Sequence, residues 1–261
     1  MPRVKLILAL VLASLLLASA AQAAELRVVS SGGFAAAYRV LLPAYERASG
    51  NTVVTEWGPS MGATPQAIPQ RLARGEPIDV VIMVGDALGA LVKEGKVRAE
   101  SRVDLARSLI GVAVRAGAPK PDISSPEAVK RALLQARSIA YSDSASGVYL
   151  STELFPRLGI AEVIREKSRM VPAEPVGQVV ARGEAELGFQ QVSELLPVAG
   201  IDIVGKLPAE LQTVTIFSAG IVATAKEPEA AAALIAFLAS PAAAEAVTKS
   251  GLEPMVAATA H

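Results

Sequence analysis

Apolar and polar positions along this chain switch repeatedly between the two-residue period of a strand and the spacing of a helix. Glu25-Leu26-Arg27-Val28-Val29-Ser30 reads as a strand, and Ser31-Gly32-Gly33 breaks it. Over 34–49 the apolar residues Phe34, Ala37, Tyr38, Leu41, Leu42 and Tyr45 recur at helical spacing, and Gly50 stops the run. A second strand is predicted over 52–57, closed by Gly58-Pro59-Ser60-Met61-Gly62, and a helix over 65–73. The stretch 79–84 is apolar throughout once past its Asp, as a strand buried on both faces should be. A short helix over 88–93 and a strand over 110–114 follow.

The second half repeats the theme. The pattern predicts a helix over 126–134, a strand over 138–141, a polar loop Ser142-Asp143-Ser144-Ala145-Ser146-Gly147 and a helix over 148–158. A short strand over 186–190, a longer one over 214–223 and two closing helices over 229–239 and 241–250 complete it. Strands alternating with helices of about ten residues predict an α/β fold with parallel-type sheets and helices on both faces. Ala73-Arg74-Gly75-Glu76 and Ala181-Arg182-Gly183-Glu184 each end a helix and precede a strand. The echo points to two similar lobes.

The first 23 residues are unlike the rest. Arg3 and Lys5 give a positive start, an apolar run of about a dozen residues follows, and Ala21-Gln22-Ala23 supplies small residues ahead of Ala24. This is the layout of a secretory signal peptide over residues 1–23, and the run is shorter than the ~20 residues of a membrane span. The expected mature chain, 24–261, is exported to the periplasm as one domain without membrane insertion. Removing the leader leaves two more acids than bases, a balance that argues against a nucleic-acid partner. There is no Cys, which removes thiol catalysis and thiolate metal sites, and the one His is the last residue, His261. No Ser-His-Asp triad and no His-based metal site can be built. No cofactor and no metal are expected, and a monomer is, since a hinge needs free lobes.

Three loops share one design, in which a strand ends, small polar residues follow and a helix begins. They are Ser30 to Gly33, Gly58 to Gly62, and Ser142 to Gly147. In open α/β sheets ligands bind beyond the carboxyl ends of the strands, and helix N-termini offer free N–H groups to an anion. Gly admits close backbone approach and Ser adds a hydroxyl donor. The binding candidates are therefore Ser31, Gly32, Gly33, Ser60, Met61, Gly62, Ser144, Ser146 and Gly147. Taken singly, each loop reads more readily as ordinary caps and turns; it is the joint pattern that points to a ligand. Asp143 on the third loop is a candidate base or a helix cap. Glu174 precedes a helix start, and Glu194 reads as a solvated surface acid.

The leader, Ser-Ser-Gly-Gly-Phe after the first strand, Gly-Pro-Ser-Met-Gly after the second, and Leu72-Ala73-Arg74-Gly75-Glu76 ahead of Asp79-Val80-Val81-Ile82 together resemble the periplasmic molybdate-binding proteins of ABC transporters. The resemblance spans residues 25–255. It implies a two-lobed periplasmic binding-protein fold of type II with hinge crossover strands. Carried over, the family's oxyanion contacts fall on Ser31, on Ser60, near Ser146 and Gly147, and near Pro175-Val176. The family's ligand-binding Tyr falls on or beside Gln191, a departure that favours an organic acid over molybdate, because the amides of Gln190 and Gln191 pair well with carboxylates.

Ser138 to Tyr149 and Gly188-Phe189-Gln190-Gln191-Val192-Ser193-Glu194-Leu195-Leu196-Pro197, with the first two loops, are similar to the bacterial aconitate isomerases. That resemblance implies interconversion of trans- and cis-aconitate, which takes an allylic proton transfer; with no His to serve as base, Asp143, Glu174, Tyr141 and Tyr149 are the acid–base candidates. Arg71, Arg74 and Arg115 are candidate substrate partners. The alternative is an ABC-transporter receptor for a molybdate-like oxyanion or a tricarboxylate, working with a permease. Both take a small anionic ligand.

Overall fold

The computed structural model describes residues 23–172 and 174–255. The leader expected over 1–23, except for its last residue, and His261 lie outside the described residues. Strand β1 (Glu25–Ser30) leads into helix α1 (Gly32–Ser49), then β2 (Thr52–Trp57), α2 (Ile68–Ala73), β3 (Val80–Val84) and α3 (Gly85–Lys93). β1 pairs in parallel with β2 on one side and β3 on the other. These elements form the first lobe.

The long strand β4 (Val103–Arg115) leaves it. The second lobe contains α4 (Pro126–Gln135), β5 (Ile139–Ser142) and a continuous helix α5 over 145–157 whose middle, Leu150–Leu154, is a π segment. α6 (Ala161–Ile164), β6 (Ser168–Val171), α7 (Val176–Ala181), β7 (Leu187–Gln191), α8 (Val192–Leu195) and β8 (Ile201–Lys206) complete it. β5 pairs in parallel with β6 and β7. The chain returns to the first lobe through β9 (Val214–Ile221), α9 (Pro228–Leu238), α10 (Ala244–Lys249) and β10 (Glu253–Pro254).

The lobes are joined because β4 belongs to both sheets. Its first half, Val103 to Leu109, pairs antiparallel with β9, which itself pairs with β3. Its second half pairs antiparallel with β7 and β8. The parallel core expected in each lobe is present, and antiparallel pairing enters where strands cross. At this crossing the Gln212 side chain accepts from the Ile110 N–H at 2.9 Å and donates to the Ile110 carbonyl at 3.1 Å.

Each sheet carries helices on both faces. In β3, Val80, Ile82 and Val84 point into a core with Phe34, Tyr38 and Leu234, from α1 and α9. Val81 and Met83 point the other way, onto Ile68 and Leu88 from α2 and α3. That two-sided burial is why the strand is apolar at every position. In the second lobe Ile110, Val112 and Val114 of β4 pack on Leu133 and Leu150, while α7 covers the opposite face through Val176 and Val180. Asp79, the one acid of its predicted strand, is buried and accepts from the backbone N–H groups of Arg27, Lys226 and Glu227.

The Ala-Arg-Gly-Glu echo is structural. α2 and α7 end alike: Gly75 and Gly183 take the left-handed conformation with φ of 71° and 77°. The N–H groups of Glu76 and Glu184 reach back to the carbonyls of Arg71 and Val179. In each copy the Arg pairs with the Glu two residues on, at 2.6 Å.

Several boundaries shift. β4 begins seven residues before the predicted strand, because Asp104, Arg107 and Ser108 interrupt the apolar pattern where it crosses between lobes. β6 and β8, half-exposed at sheet margins, carry too weak an alternation to stand out. Among the described residues no single helix is long and apolar enough to cross a membrane.

Candidate active site

The three Ser/Gly loops meet. They line a cleft of about 360 Å³ between the lobes. The first lobe supplies Ser31, Gly32 and Gly33 from the start of α1, Ser60 and Thr64 from the loop after β2, and Trp57. The second lobe supplies Ser142, Asp143 and Ser144 ahead of α5, Glu174 and Pro175 ahead of α7, and Gln190, Gln191 and Glu194 around the start of α8. Phe217, on the crossing strand β9, also lines it. The carboxyl ends of β1, β2, β5 and β7 all face this space, which is where an open α/β sheet places its ligand.

The donors are set up for a guest. Ser31 Oγ is buried without a hydrogen-bond partner, and so is Thr64 Oγ1. A buried hydroxyl left unpaired costs about 1–3 kcal/mol, a cost that a ligand oxygen at hydrogen-bond distance relieves. Ser60 Oγ accepts from the Val84 N–H at 2.9 Å, leaving its own proton to donate. Gly32 and Gly33 open an 18-residue helix, so their N–H groups and the positive end of its dipole face the cleft. Thr64 was invisible to the sequence reading because it sits past the Gly58–Gly62 motif, in an irregular stretch with no periodicity.

Other predicted binding residues sit one layer back. Ser146 Oγ is buried at 3.0 Å from Ser142 Oγ, which also lies 3.0 Å from Ser144 Oγ. Gly147 is a packing residue: a Cβ there would lie 1.6 Å from the Ser142 carbonyl oxygen, so α5 can start against the end of β5 only with glycine in that place. Met61 packs against the first-lobe core, and Gly62 takes a left-handed φ of 102°. Gln190 and Gln191 reach the cleft wall, but their amides are largely engaged. Gln190 Oε1 accepts from the Val176 N–H at 2.9 Å. Gln191 Oε1 accepts from Ser108 and its Nε2 donates to Thr215, tying β7 to both crossing strands.

The acid–base candidates separate by position. Asp143 lines the cleft. Glu174 does too, but Arg182 holds both its oxygens at 2.6 and 3.1 Å, and that pairing lowers its pKa. Tyr149 does not line the cleft; its hydroxyl donates to the Leu211 carbonyl at 3.0 Å. Tyr141 stacks edge-on against Phe155 in the second-lobe core, where burial raises its pKa.

Glu194, read from sequence as a solvated surface acid, lies in the cleft instead. α8 is a single turn beginning at the end of β7, and it turns this side chain inward over Gly32. Burial pushes the Glu194 carboxyl up to about 7, with Gln190 donating a partly offsetting hydrogen bond and Asp143 adding a like charge.

Among the described residues no Arg or Lys lines the cleft. Arg71 is held by Glu56 and Glu76, Arg74 by Glu76, and Arg115 lies near Gly183 at the other end of the second lobe. The lining offers an anion hydroxyls, backbone N–H groups and helix ends instead. Among the described residues no cluster of three or more His, Cys, Asp or Glu is arranged to hold a metal ion.

Comparison with known proteins agrees with this geometry. A family model described as bacterial extracellular solute-binding protein matches residues 26–253. An aconitate isomerase from a Pseudomonas species is 56% identical over 249 residues, covering 95% of each chain. The molybdate-binding protein of Azotobacter vinelandii is 30% identical over 247 residues, covering 90% of this chain and 92% of that one. Among solved structures, the Azotobacter vinelandii periplasmic molybdate-binding protein superposes with a TM-score of 0.69 at 23% identity, over 87% of this chain and 98% of that one. The sulfate-binding protein SubI of Mycobacterium tuberculosis gives a TM-score of 0.71 at 19% identity, over 89% and 87%. With its two lobes, its crossing strands and a cleft of small polar loops, the chain belongs to the family of bacterial extracellular solute-binding proteins.

Proposed function

We propose that this protein is a periplasmic aconitate isomerase that uses a solute-binding scaffold to interconvert trans- and cis-aconitate. The observation that carries the reading is the 56% identity, over 95% of both chains, to a protein named aconitate isomerase. The cleft supports it by joining a set of anion donors to carboxyl groups that can move protons.

Aconitate has a carboxylate on each of three carbons and a methylene beside its double bond. Isomerisation takes a proton from the methylene, and the electron pair left behind forms a new double bond to the central carbon. The old π pair moves onto the former vinylic carbon, which takes up a proton. Nothing is oxidised or reduced. The orientation in which the methylene's carboxylate is held when the proton leaves decides the geometry of the new double bond. Ser31, Ser60, Thr64 and the N–H groups opening α1 are placed to hold carboxylates in that orientation, and to stabilise the charge that develops as the proton leaves. Asp143 is the base in this reading.

A second reading has a specific observation behind it. The 30% identity to a molybdate-binding protein, together with the same serine-lined cleft, suits a transport receptor for an oxyanion or tricarboxylate that delivers to an ABC permease. The test is to incubate the mature chain with trans-aconitate and follow cis-aconitate by chromatography. Turnover is expected. No turnover, with trans-aconitate or molybdate still raising the melting temperature, moves the assignment to the receptor.

A further inference from the structure

Allylic transfer needs a proton removed at one carbon and delivered at another, and the cleft holds a second carboxyl group suited to the delivery. Glu194 follows β7 on the one-turn helix α8, and its side chain crosses to the opposite lobe. A Cβ built on Gly32 would lie 2.5 Å from Glu194 Oε1, so the carboxyl rests against the opening residue of α1, beside the donors that face the ligand space.

Its surroundings are one-sided in charge. From the loop after β5, Asp143 faces it as a like charge. From the segment ahead of α7, Glu174 lies in the same cleft wall, neutralised by Arg182. From its own element's approach, Gln190 donates a hydrogen bond. α1 presents only backbone at Gly32 and Gly33, and β9 presents the ring of Phe217. Among the described residues no Lys, Arg or His lines the space. Burial and the facing Asp143 shift this carboxyl toward its neutral form, and it sits where an anionic ligand would oppose its ionisation further.

We propose that Glu194 is a catalytic residue of the isomerisation, delivering a proton to the carbon that loses the double bond while Asp143 accepts one from the methylene. The inference rests on the isomerase reading. In one turnover a C–H bond breaks and its proton goes to the Asp143 carboxylate, while the Glu194 O–H breaks and its proton forms the new C–H bond. The pair is left with the proton on the opposite partner, and exchange between the two facing carboxyls or with water resets it. The reverse reaction uses the same groups with roles exchanged. Two carboxyls facing one ligand space, one giving and one taking a proton, is a general arrangement for acid–base work.

The experiment compares the wild-type mature chain with E194Q and E194D, using trans-aconitate as the probe. Wild-type kcat/KM should fall as pH rises through about 7, where Glu194 loses its proton. E194Q should lose on the order of 100-fold or more in kcat, while trans-aconitate still raises its melting temperature. E194D should keep part of the rate with a displaced alkaline limb. A wild-type chain that binds aconitate without converting it overturns the isomerase reading and this inference together. A wild-type chain that turns over beside an E194Q variant of similar rate and pH dependence overturns the inference alone. Should E194Q not fold, E194D decides: a wild-type rate with an unmoved alkaline limb overturns the assignment.

Discussion

The hydroxyl of Ser193 donates to the carbonyl oxygen of Gly33 at 2.7 Å, a buried bond between residues 160 apart in sequence. It fastens α8 of the second lobe to the first turn of α1 in the first, and so fixes the neighbouring Glu194 over Gly32. Ser193→Ala should cost about 1 kcal/mol, lowering the melting temperature by roughly 2–4 °C for a chain of this size. Turnover should fall more than that loss of stability alone explains, since the carboxyl is then less firmly placed. A thermal melt beside a kcat measurement reads both.

The ring of Phe217 lies over Gly33, where a Cβ would come within 1.9 Å of Cζ. A ring on a crossing strand cannot retreat without moving β9. Gly33→Ala should destabilise the protein by about 1–3 kcal/mol and abolish the aconitate-induced rise in melting temperature. A variant that melts and binds as wild type does would mean the ring can move freely.

Ser31→Ala separates a ligand contact from a structural one. Its Oγ is buried and unpartnered, so its removal should leave the ligand-free chain as stable as wild type, or about 1 kcal/mol more stable. The affinity for trans-aconitate should drop about tenfold, the loss of one hydrogen bond to a charged group. Titration calorimetry measures the second quantity, and lower stability with unchanged affinity would reverse the assignment.

Glu174→Gln should change kcat by no more than a few fold. The Glu174 carboxylate is held ionised by Arg182, so its charge is matched and it is a poor proton acceptor near neutral pH. A loss on the order of 100-fold would place Glu174 in the chemistry instead.

Glu194 sets a dependence of stability on pH. Its carboxyl is raised from the ordinary range to about 7 in the folded chain, so the folded state binds this proton more tightly than the unfolded state does. The resulting stabilisation is complete below the ordinary carboxylate range and is lost as pH rises through about 7. Glu194→Gln stays neutral throughout. Its melting temperature relative to wild type should therefore climb between about pH 5 and pH 8, by an amount corresponding to at most about 3 kcal/mol. A difference that does not change with pH would mean the carboxyl is ordinarily solvated.

How much was legible in the sequence follows from what pattern can carry. β1, β2 and β3 stand where the alternation and the apolar run put them: β3 is buried on both faces and apolar throughout, while β1 and the edge strand β2 keep the two-residue alternation of half-covered strands. The first half of β4 was missed because a strand crossing between lobes exchanges apolar partners for polar ones such as Ser108, and period alone cannot distinguish it from a loop. The three Ser/Gly loops were legible as helix starts, and their convergence was inferred from their common design. Thr64 and Glu194 were not legible. Thr64 belongs to a stretch without periodicity, and Glu194 is one acid in the run Gly188 to Pro197 whose direction pattern alone does not give; only the path of the chain turns each inward.

The sequence by itself determined most strands and helices of the two lobes (though not the first half of β4, β6 or β8), the repeated Arg-Gly-Glu helix ends, and a set of small polar loops fit for an anion, since local periodicity and glycine stereochemistry are properties of neighbouring residues. The tertiary structure decided which of those polar groups face one cleft. It committed Gln191 to the crossing strands and Tyr149 to a backbone carbonyl, put Arg182 on Glu174, and carried Glu194 across to Gly32. Apart from Arg182 on Glu174, eight residues away, those assignments depend on contacts between residues two dozen to more than a hundred positions apart, and on burial, which changes the proton affinity of a carboxyl without leaving a mark in the residues beside it.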